Sequence, residues 1–134
     1  MKIEVIKFGG TSVADASKIR HVAGIIEEKV QKNIKTIVVV SAMGESTDQL
    51  LALANEVSKD PNPRELDVLL STGEIVTSTL LSMQLNTISI PTISLTGIQA
   101  GIRTDDAYGR ARIADINTTR IIKNACPNNI PISS

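Results

Sequence analysis

The sequence predicts an α/β protein whose mainly parallel sheet is covered by helices. Short runs of β-branched residues alternate with segments of helical periodicity, which is the order expected of parallel strands joined by helical crossovers. The run at residues 36–42, TIVVVSA, is too uniformly apolar for a strand with one face in water. Such a run is typical of a central parallel strand that is covered on both faces.

The first two elements are a strand and an amphipathic helix. Residues 3–8 form a short, largely apolar run that ends at a Gly-Gly pair, as expected of a buried strand that enters a turn. Residues 15–33 then show helical spacing, and Asp15 is suited to cap this helix. The apolar face of the helix is formed by Ile19, Val22, Ile26 and Val30.

The middle of the chain predicts two further helical regions and a third strand. Ser46 or Thr47 is expected to cap the helix that follows the central strand. Residues 64–86 are helical in pattern, but the STGE motif interrupts them, and Gly73 is expected to separate two helices. Residues 90–97 predict the third strand.

The last third of the chain has mixed polarity and predicts short elements. Residues 98–112 are expected to form a loop or a short hairpin, and residues 113–116 a short strand. Residues 118–125 fit a short helix, and NIPISS at 129–134 resembles the beginning of another strand.

Composition restricts the partners of the chain. Its 134 residues fit one domain, and 14 basic residues balance 14 acidic ones without a basic patch, which argues against nucleic acid and anionic membranes as partners. No apolar run approaches the length of about 18 residues that a membrane span requires, so no segment is expected to span a bilayer. Cys126 is the single cysteine, so no internal disulfide forms and a cytoplasmic location is expected.

The first loop carries the strongest candidate chemistry, because ligands of such sheets bind at the carboxyl ends of the strands. Gly9 and Gly10 allow backbone N–H groups to approach an anion, and Lys7 adds a full positive charge ahead of a helix N-terminus. This predicts a site for a phosphate, or for negative charge on a phosphoryl group in transit. The alternative is an ordinary Gly-Gly turn with a solvated lysine.

Two further loops carry candidate polar groups. Ser41 follows the buried strand and Thr47 lies near a helix start, so their hydroxyls can bind a phosphate or a carboxylate, or serve only in capping and turns. Glu74 can anchor a substrate ammonium, or complement a helix dipole if it lies in a first helical turn. No metal site is predicted, because His21 has no second ligand at helical spacing.

Five segments of the chain together carry a family resemblance. They are KFGGTSV at 7–13, VVVSAMGESTDQLLALA at 38–54, RELDVLLSTGE at 64–74, SLTGIQAGIRTDD at 94–106 and GRARIADI at 109–116. In this order and spacing they resemble the N-terminal part of the aspartate kinases, as far as about Ile116. The resemblance implies the amino acid kinase fold, a three-layer α/β/α sandwich.

The same resemblance implies an activity and a set of ligands. Mg-ATP would donate a phosphoryl group to the side-chain carboxylate of L-aspartate, giving 4-phospho-L-aspartate for the synthesis of lysine, threonine, methionine and diaminopimelate. Lys7 would be the catalytic residue, Thr47 would bind the α-carboxylate of aspartate, and Glu74 its α-ammonium. The nucleotide would be bound by Lys7, Phe8, Gly9, Gly10 and Ser41.

The resemblance also implies what lies outside these residues. Residues 1–134 correspond to the N-terminal part of an amino acid kinase domain, before its nucleotide-binding half and without an ACT regulatory domain. The chain alone is therefore expected to be inactive, to expose an unpaired sheet edge and an uncovered sheet face, and to form a homo-oligomer or to associate with the rest of the enzyme.

Two other functions fit the same residues. One alternative is a non-catalytic remnant or partner that associates with a full-length kinase. A related amino acid kinase acting on glutamate, carbamate or UMP is a third possibility, which the KFGGTS and RELDVLLSTGE segments disfavour.

Overall fold

The computed structural model describes residues 3–125 and 129–133. Cys126 therefore lies outside the described residues. In chain order the elements are β1 (Ile3–Phe8), a 3₁₀ turn (Gly10–Val13), α1 (Ala16–Gln31), β2 (Lys35–Val40), α2 (Ser46–Val57), α3 (Pro63–Thr87), β3 (Thr92–Leu95), β4 (Ile102–Thr104), β5 (Ile113–Ile116), α4 (Thr119–Ala125) and β6 (Ile130–Ser133).

A parallel sheet forms the centre of the molecule, in the order β1-β2-β6-β3. This confirms the predicted α/β class and the predicted strands. β6 comes last in the chain but lies between β2 and β3. Because all four strands run parallel, the loops that follow β1, β2 and β3 leave the sheet at the same end. The prediction that the first strand is buried is wrong: β1 is an edge strand, Phe8 is its one buried residue, and Val5 is 62% exposed.

The buried core lies between the sheet and helices α1 and α3. It is almost entirely aliphatic, and each such side chain contributes about 1.5–3 kcal/mol by leaving water. Its largest fully buried members include Val22, Ile26, Val38, Leu81, Leu85 and Ile132. The predicted cap of α1 is confirmed, because the Asp15 carboxylate accepts a hydrogen bond from the backbone N–H of Lys18 at 2.9 Å.

The predicted break in the third helical region is wrong. α3 runs without interruption through Gly73, which is buried in the helix. A Cβ at this position would lie 3.0 Å from the Cβ of Ala42, so glycine serves close packing here and does not end a helix. Glu74 consequently lies in the middle of α3, where the proposed complementation of a helix N-terminus does not apply.

The predicted cap of α2 is also wrong. The N-cap position is occupied by Glu45, whose side chain makes no capping hydrogen bond. Ser46 is already helical, and its hydroxyl donates to the carbonyl of Met43 at 2.6 Å. The backbone turns at Gly44 with a φ of 50°, and this left-handed turn starts the helix earlier than the hydroxyl residues suggested.

By length and composition α3 is the one helix in the described part of the chain that is able to cross a membrane, and 28% of its most apolar window is buried. The sequence was expected to contain no membrane-spanning segment, because no apolar run approaches about 18 residues. α3 nevertheless passes the test of length and mean hydropathy, since its apolar residues are interspersed with Ser and Thr. In this structure α3 packs against α1, α2 and β3. Leu81 and Leu85 on it belong to the core of the α/β domain.

Residues 98–112 were expected to form a loop or a short hairpin; a hairpin is present, and its second strand is the short strand predicted at residues 113–116. β4 and β5 pair antiparallel, with Ile102 opposite Ile116, and form a separate two-stranded sheet. Few of its side chains are buried; Ile113, for example, is 61% exposed.

Candidate functional site

The ends of β1 and β2 bring the first two candidate loops together. The parallel register places Lys7 beside Val39 and Phe8 beside Val40. One residue further on, the backbone N–H of Ser41 donates to the carbonyl of Phe8 at 3.1 Å. Because both strands end at this edge of the sheet, Lys7, Phe8 and Ser41 form one local group, as the sequence predicted.

The two glycines of the first loop have different roles. A Cβ on Gly10 would lie 2.8 Å from the carbonyl oxygen of Ala42, whereas a Cβ on Gly9 would meet nothing within 4 Å. The carbonyl of Gly10 also accepts a hydrogen bond from the N–H of Gly44 at 3.0 Å. Gly10 is therefore required by the contact between the first two loops, while the space around Gly9 stays open to a ligand.

Three motifs meet at Ala42. Gly10 belongs to KFGGTS and approaches the Ala42 carbonyl, and Gly73 belongs to STGE and approaches the Ala42 methyl group. Ala42 itself belongs to the SAMG motif that follows β2. We call Gly10, Ala42 and Gly73 the Ala42 corner. The corner fixes the strand ends that carry Lys7 relative to the helix that carries Glu74.

Donor groups remain available beside this corner. Within residues 3–125 and 129–133, the N–H groups of Gly9 and Gly10 donate none of the backbone hydrogen bonds made in the loops; Ser12 donates to the carbonyl of Gly9 at 3.0 Å. Lys7 is exposed, and no ion pair joins it to another described residue. Backbone N–H groups and an unpaired ammonium are the groups that bind a phosphate.

Sequence reasoning missed a second cation at the first loop. The ammonium of Lys18 donates to the carbonyl of Thr11 at 3.0 Å. The available signal was the position of Lys18 one turn into the helix that follows the loop, where its side chain can reach back toward the turn. Lys18 thus adds a positive charge to the first loop at Thr11.

Glu74 lines a groove of about 1640 Å³ between α3 and the β4–β5 hairpin. The loop after β3 and helix α4 form the other walls. The groove carries both signs of charge, which sequence reasoning did not assemble because its residues come from four elements. Its other charged residues are Asp67, Arg103, Asp115, Arg120 and Lys123.

The predicted site residues thus divide into three places. Lys7, Ser41 and the two glycines lie at the ends of β1 and β2, and Glu74 lies in the groove. Thr47 is exposed in the first turn of α2 and does not line the groove. In the described part of the chain no three His, Cys, Asp or Glu side chains are grouped so that they would hold a metal ion.

Comparison with known proteins gives one family. The sequence profile of the amino acid kinase family matches residues 2–134. An aspartokinase of Geobacillus stearothermophilus is 53% identical over 121 residues, which are 90% of this chain and 30% of that protein. The crystal structure of aspartate kinase from Synechocystis superposes with a TM-score of 0.85 and 42% identity, over 100% of this chain and 22% of that chain.

A more distant structure shares the fold. E. coli aspartokinase III, in complex with aspartate and ADP, superposes with a TM-score of 0.82 at 20% identity and covers 99% of this chain and 40% of its own. The chain spans about 30% of the length of the Geobacillus relative. The profile match shows that this chain belongs to the amino acid kinase family, in which its sequence is similar to the aspartokinases.

Proposed function

We propose that this chain is part of an aspartate kinase, which transfers a phosphoryl group from ATP to the side-chain carboxylate of L-aspartate and gives 4-phospho-L-aspartate. The observation that carries the proposal is the Ala42 corner, where the KFGGTS, SAMG and STGE motifs meet. The 53% identity to an aspartokinase supports it, as does the aspartate and ADP complex of the E. coli relative.

The first loop would bind the nucleotide. The open N–H groups of Gly9 and Gly10 suit phosphate oxygens, and Ser41 beside the Phe8 carbonyl adds a hydroxyl at the same strand ends. When bound, ATP supplies the phosphoryl group, and Mg²⁺ held by phosphate oxygens neutralises part of its charge. The chemistry of the loop therefore fits a nucleotide phosphate.

Lys7 would act on the transferred phosphoryl group. Phosphoryl transfer requires mainly alignment and charge stabilisation from the protein. An unpaired ammonium at the strand ends can offset negative charge that grows on the phosphoryl oxygens. The acceptor carboxylate of aspartate is already a nucleophile, so this site needs no general base.

The amino acid would be bound by Glu74 and Thr47. The Glu74 carboxylate would accept from the α-ammonium in the groove, and the Thr47 hydroxyl, which lies outside the groove in the first turn of α2, would donate to the α-carboxylate. A groove that carries both carboxylates and cationic side chains complements a zwitterion with an additional acidic side chain. The residues preceding Glu74 and following Lys7 are linked through Ala42, because ideal Cβ atoms at Gly73 and Gly10 would both lie within 3.0 Å of it.

Replacing Lys7 in a complete aspartate kinase that contains this segment tests the proposal. Lys7→Ala should lower kcat roughly a hundredfold or more, since loss of one preorganised electrostatic contact in the transition state costs about 3 kcal/mol. The melting temperature should not change, because Lys7 is exposed. Lys32→Ala, which removes an exposed lysine at the end of α1, is the matched control. A kcat within twofold of the parent in Lys7→Ala would contradict the proposal.

The polypeptide of residues 1–134 alone is proposed to have no measurable activity, because it spans 30% of the length of the Geobacillus aspartokinase. We also propose that the product is used in the synthesis of lysine, threonine, methionine and diaminopimelate, and that the enzyme is cytoplasmic. The chain is proposed to form a homo-oligomer or to associate with the rest of the enzyme. A coupled assay with ATP and L-aspartate measures the activity. Sustained turnover by residues 1–134 would refute the inactivity.

A further inference from the structure

The tip of the β4–β5 hairpin is a closed loop. Asp105 and Arg112 face each other at its base, where the N–H of Asp105 donates to the carbonyl of Arg112 at 3.0 Å. The Asp105 carboxylate accepts in return from the N–H of Arg112 at 3.1 Å and from the N–H of Ala107 at 3.1 Å. These bonds hold residues 105–112 together as a closed loop.

Burial does little to fix the position of this hairpin. Every residue from 103 to 120 is exposed except the half-buried Ala107. The apolar side chains Ile113 and Ile116 remain 61% and 48% exposed. An element with so little buried apolar surface opens at low free energy unless polar contacts restrain it.

One polar contact joins the tip to α3. The backbone N–H of Gly109 donates to the Asp67 carboxylate at 2.7 Å across 42 residues of sequence. Gly109 has a φ of 77°, a left-handed conformation that glycine adopts readily. Among the hydrogen bonds found for the described residues, this is the one that ties residues 103–112 to α3.

Asp67 and Glu74 lie on the same side of α3. They are two helical turns apart, so their side chains project in similar directions, and both line the groove. The opposite wall includes Arg103 and Asp115 of the hairpin. The bond from Gly109 to Asp67 therefore joins the hairpin, which carries Arg103, to the helix that carries Glu74.

We infer that Asp67 is a positioning residue, whose carboxylate holds the β4–β5 hairpin as the outer wall of the groove in which Glu74 lies. Asp67 acts through Gly109 and not by contact with a substrate. The identity of the amino acid in the groove rests on the proposed function, whereas the attachment of the hairpin does not.

Hydrogen exchange of residues 1–134, measured by mass spectrometry, tests the attachment without a ligand. Asp67→Ala should raise the exchange rate of a peptide covering residues 102–116 roughly tenfold, as expected when a hydrogen bond to a charged acceptor is lost. Peptides from α1 and β2 should keep their rates. Asp106→Ala removes an exposed carboxylate from the same tip and should match the parent.

A conservative variant separates loss of this bond from a general effect of substitution. In Asp67→Asn the side-chain oxygen can still accept from Gly109, so exchange of the hairpin should return to within about threefold of the parent. If Asp67→Ala fails to fold, Asp67→Ser, which is too short to reach Gly109, takes its place. Unchanged hairpin exchange in the shortened variant, or equal acceleration in that variant and in Asp67→Asn, would overturn the inference.

Addition of L-aspartate distinguishes this inference from the proposed function. Aspartate should slow exchange of the hairpin in the parent, and the half-saturating concentration should be roughly tenfold higher in Asp67→Ala and close to the parent in Asp67→Asn. No protection in the parent would count against the proposed substrate, while the ligand-free comparison would still decide the attachment. Protection with the same half-saturating concentration in the parent and in Asp67→Ala would overturn the positioning role.

Discussion

The Ala42 corner and the β4–β5 hairpin are held in opposite ways. At the corner, backbone and methyl groups approach so closely that Gly10 and Gly73 leave little or no room for a side chain. The hairpin has exposed side chains, and its tip reaches α3 through the bond from Gly109 to Asp67. The chain thus places its phosphate-binding candidates on a rigid scaffold and one wall of the groove on an element that opens easily.

The largest expected contrast is between a core residue and a hairpin residue. Leu81→Ala should destabilise the chain by about 2–5 kcal/mol, since it removes a fully buried side chain and leaves a cavity. Ile113→Ala should change the free energy of unfolding by less than about 0.5 kcal/mol, because Ile113 is largely exposed. Urea denaturation followed by circular dichroism measures both, and a loss in Ile113→Ala as large as in Leu81→Ala would show that the hairpin belongs to the core.

A smaller contrast lies within the Gly-Gly pair. Gly10→Ala should cost about 1–3 kcal/mol, because its Cβ would lie 2.8 Å from the Ala42 carbonyl oxygen and the backbone must shift. Gly9→Ala is the matched control and should change stability little, since its Cβ would meet nothing within 4 Å and its φ is −74°. Thermal denaturation compares the two variants. Equal losses would mean that the corner is not closely packed at Gly10.

The smallest expected effect is local to the hairpin. Gly109→Ala should cost about 1–2 kcal/mol in the tip, because a residue with a Cβ is disfavoured at a φ of 77°. Tryptic cleavage after Arg103 and Arg112 should become roughly tenfold faster, while the melting temperature of the core stays within error of the parent. Ala111→Ser, an exposed change in the same tip, is the control. A large fall in melting temperature would contradict the independence of hairpin and core.

The strands and α1 were predictable because their signals are local. Runs such as KTIVVV in β2 and the helical spacing of Ile19, Val22 and Ile26 identify both the element and its buried face. Asp15 capped its helix as expected, because an N-cap depends only on neighbouring backbone groups. The short strand predicted at residues 113–116 is also present, where it pairs with β4.

The glycine at position 73 shows where local reasoning fails. Glycine usually weakens a helix, so its sequence context suggested a break, but the decisive contact is with Ala42, 31 positions earlier in the chain. For the same reason Glu74 was expected at the start of a helix, whereas it lies in the middle of α3. The cap of α2 was misplaced because a positive φ at Gly44 depends on the packing of two loops.

The sequence alone determined which residues carry the candidate phosphate chemistry, since Lys7 lies at the end of one recognisable strand and Gly9, Gly10 and Ser41 directly follow the first two strands. Parallel pairing then brings those strand ends together. Only the tertiary structure decided that Gly73 joins Glu74 to this corner and that Asp67 holds the hairpin. Both depend on contacts between residues far apart in the chain, and such contacts follow from packing rather than from local periodicity.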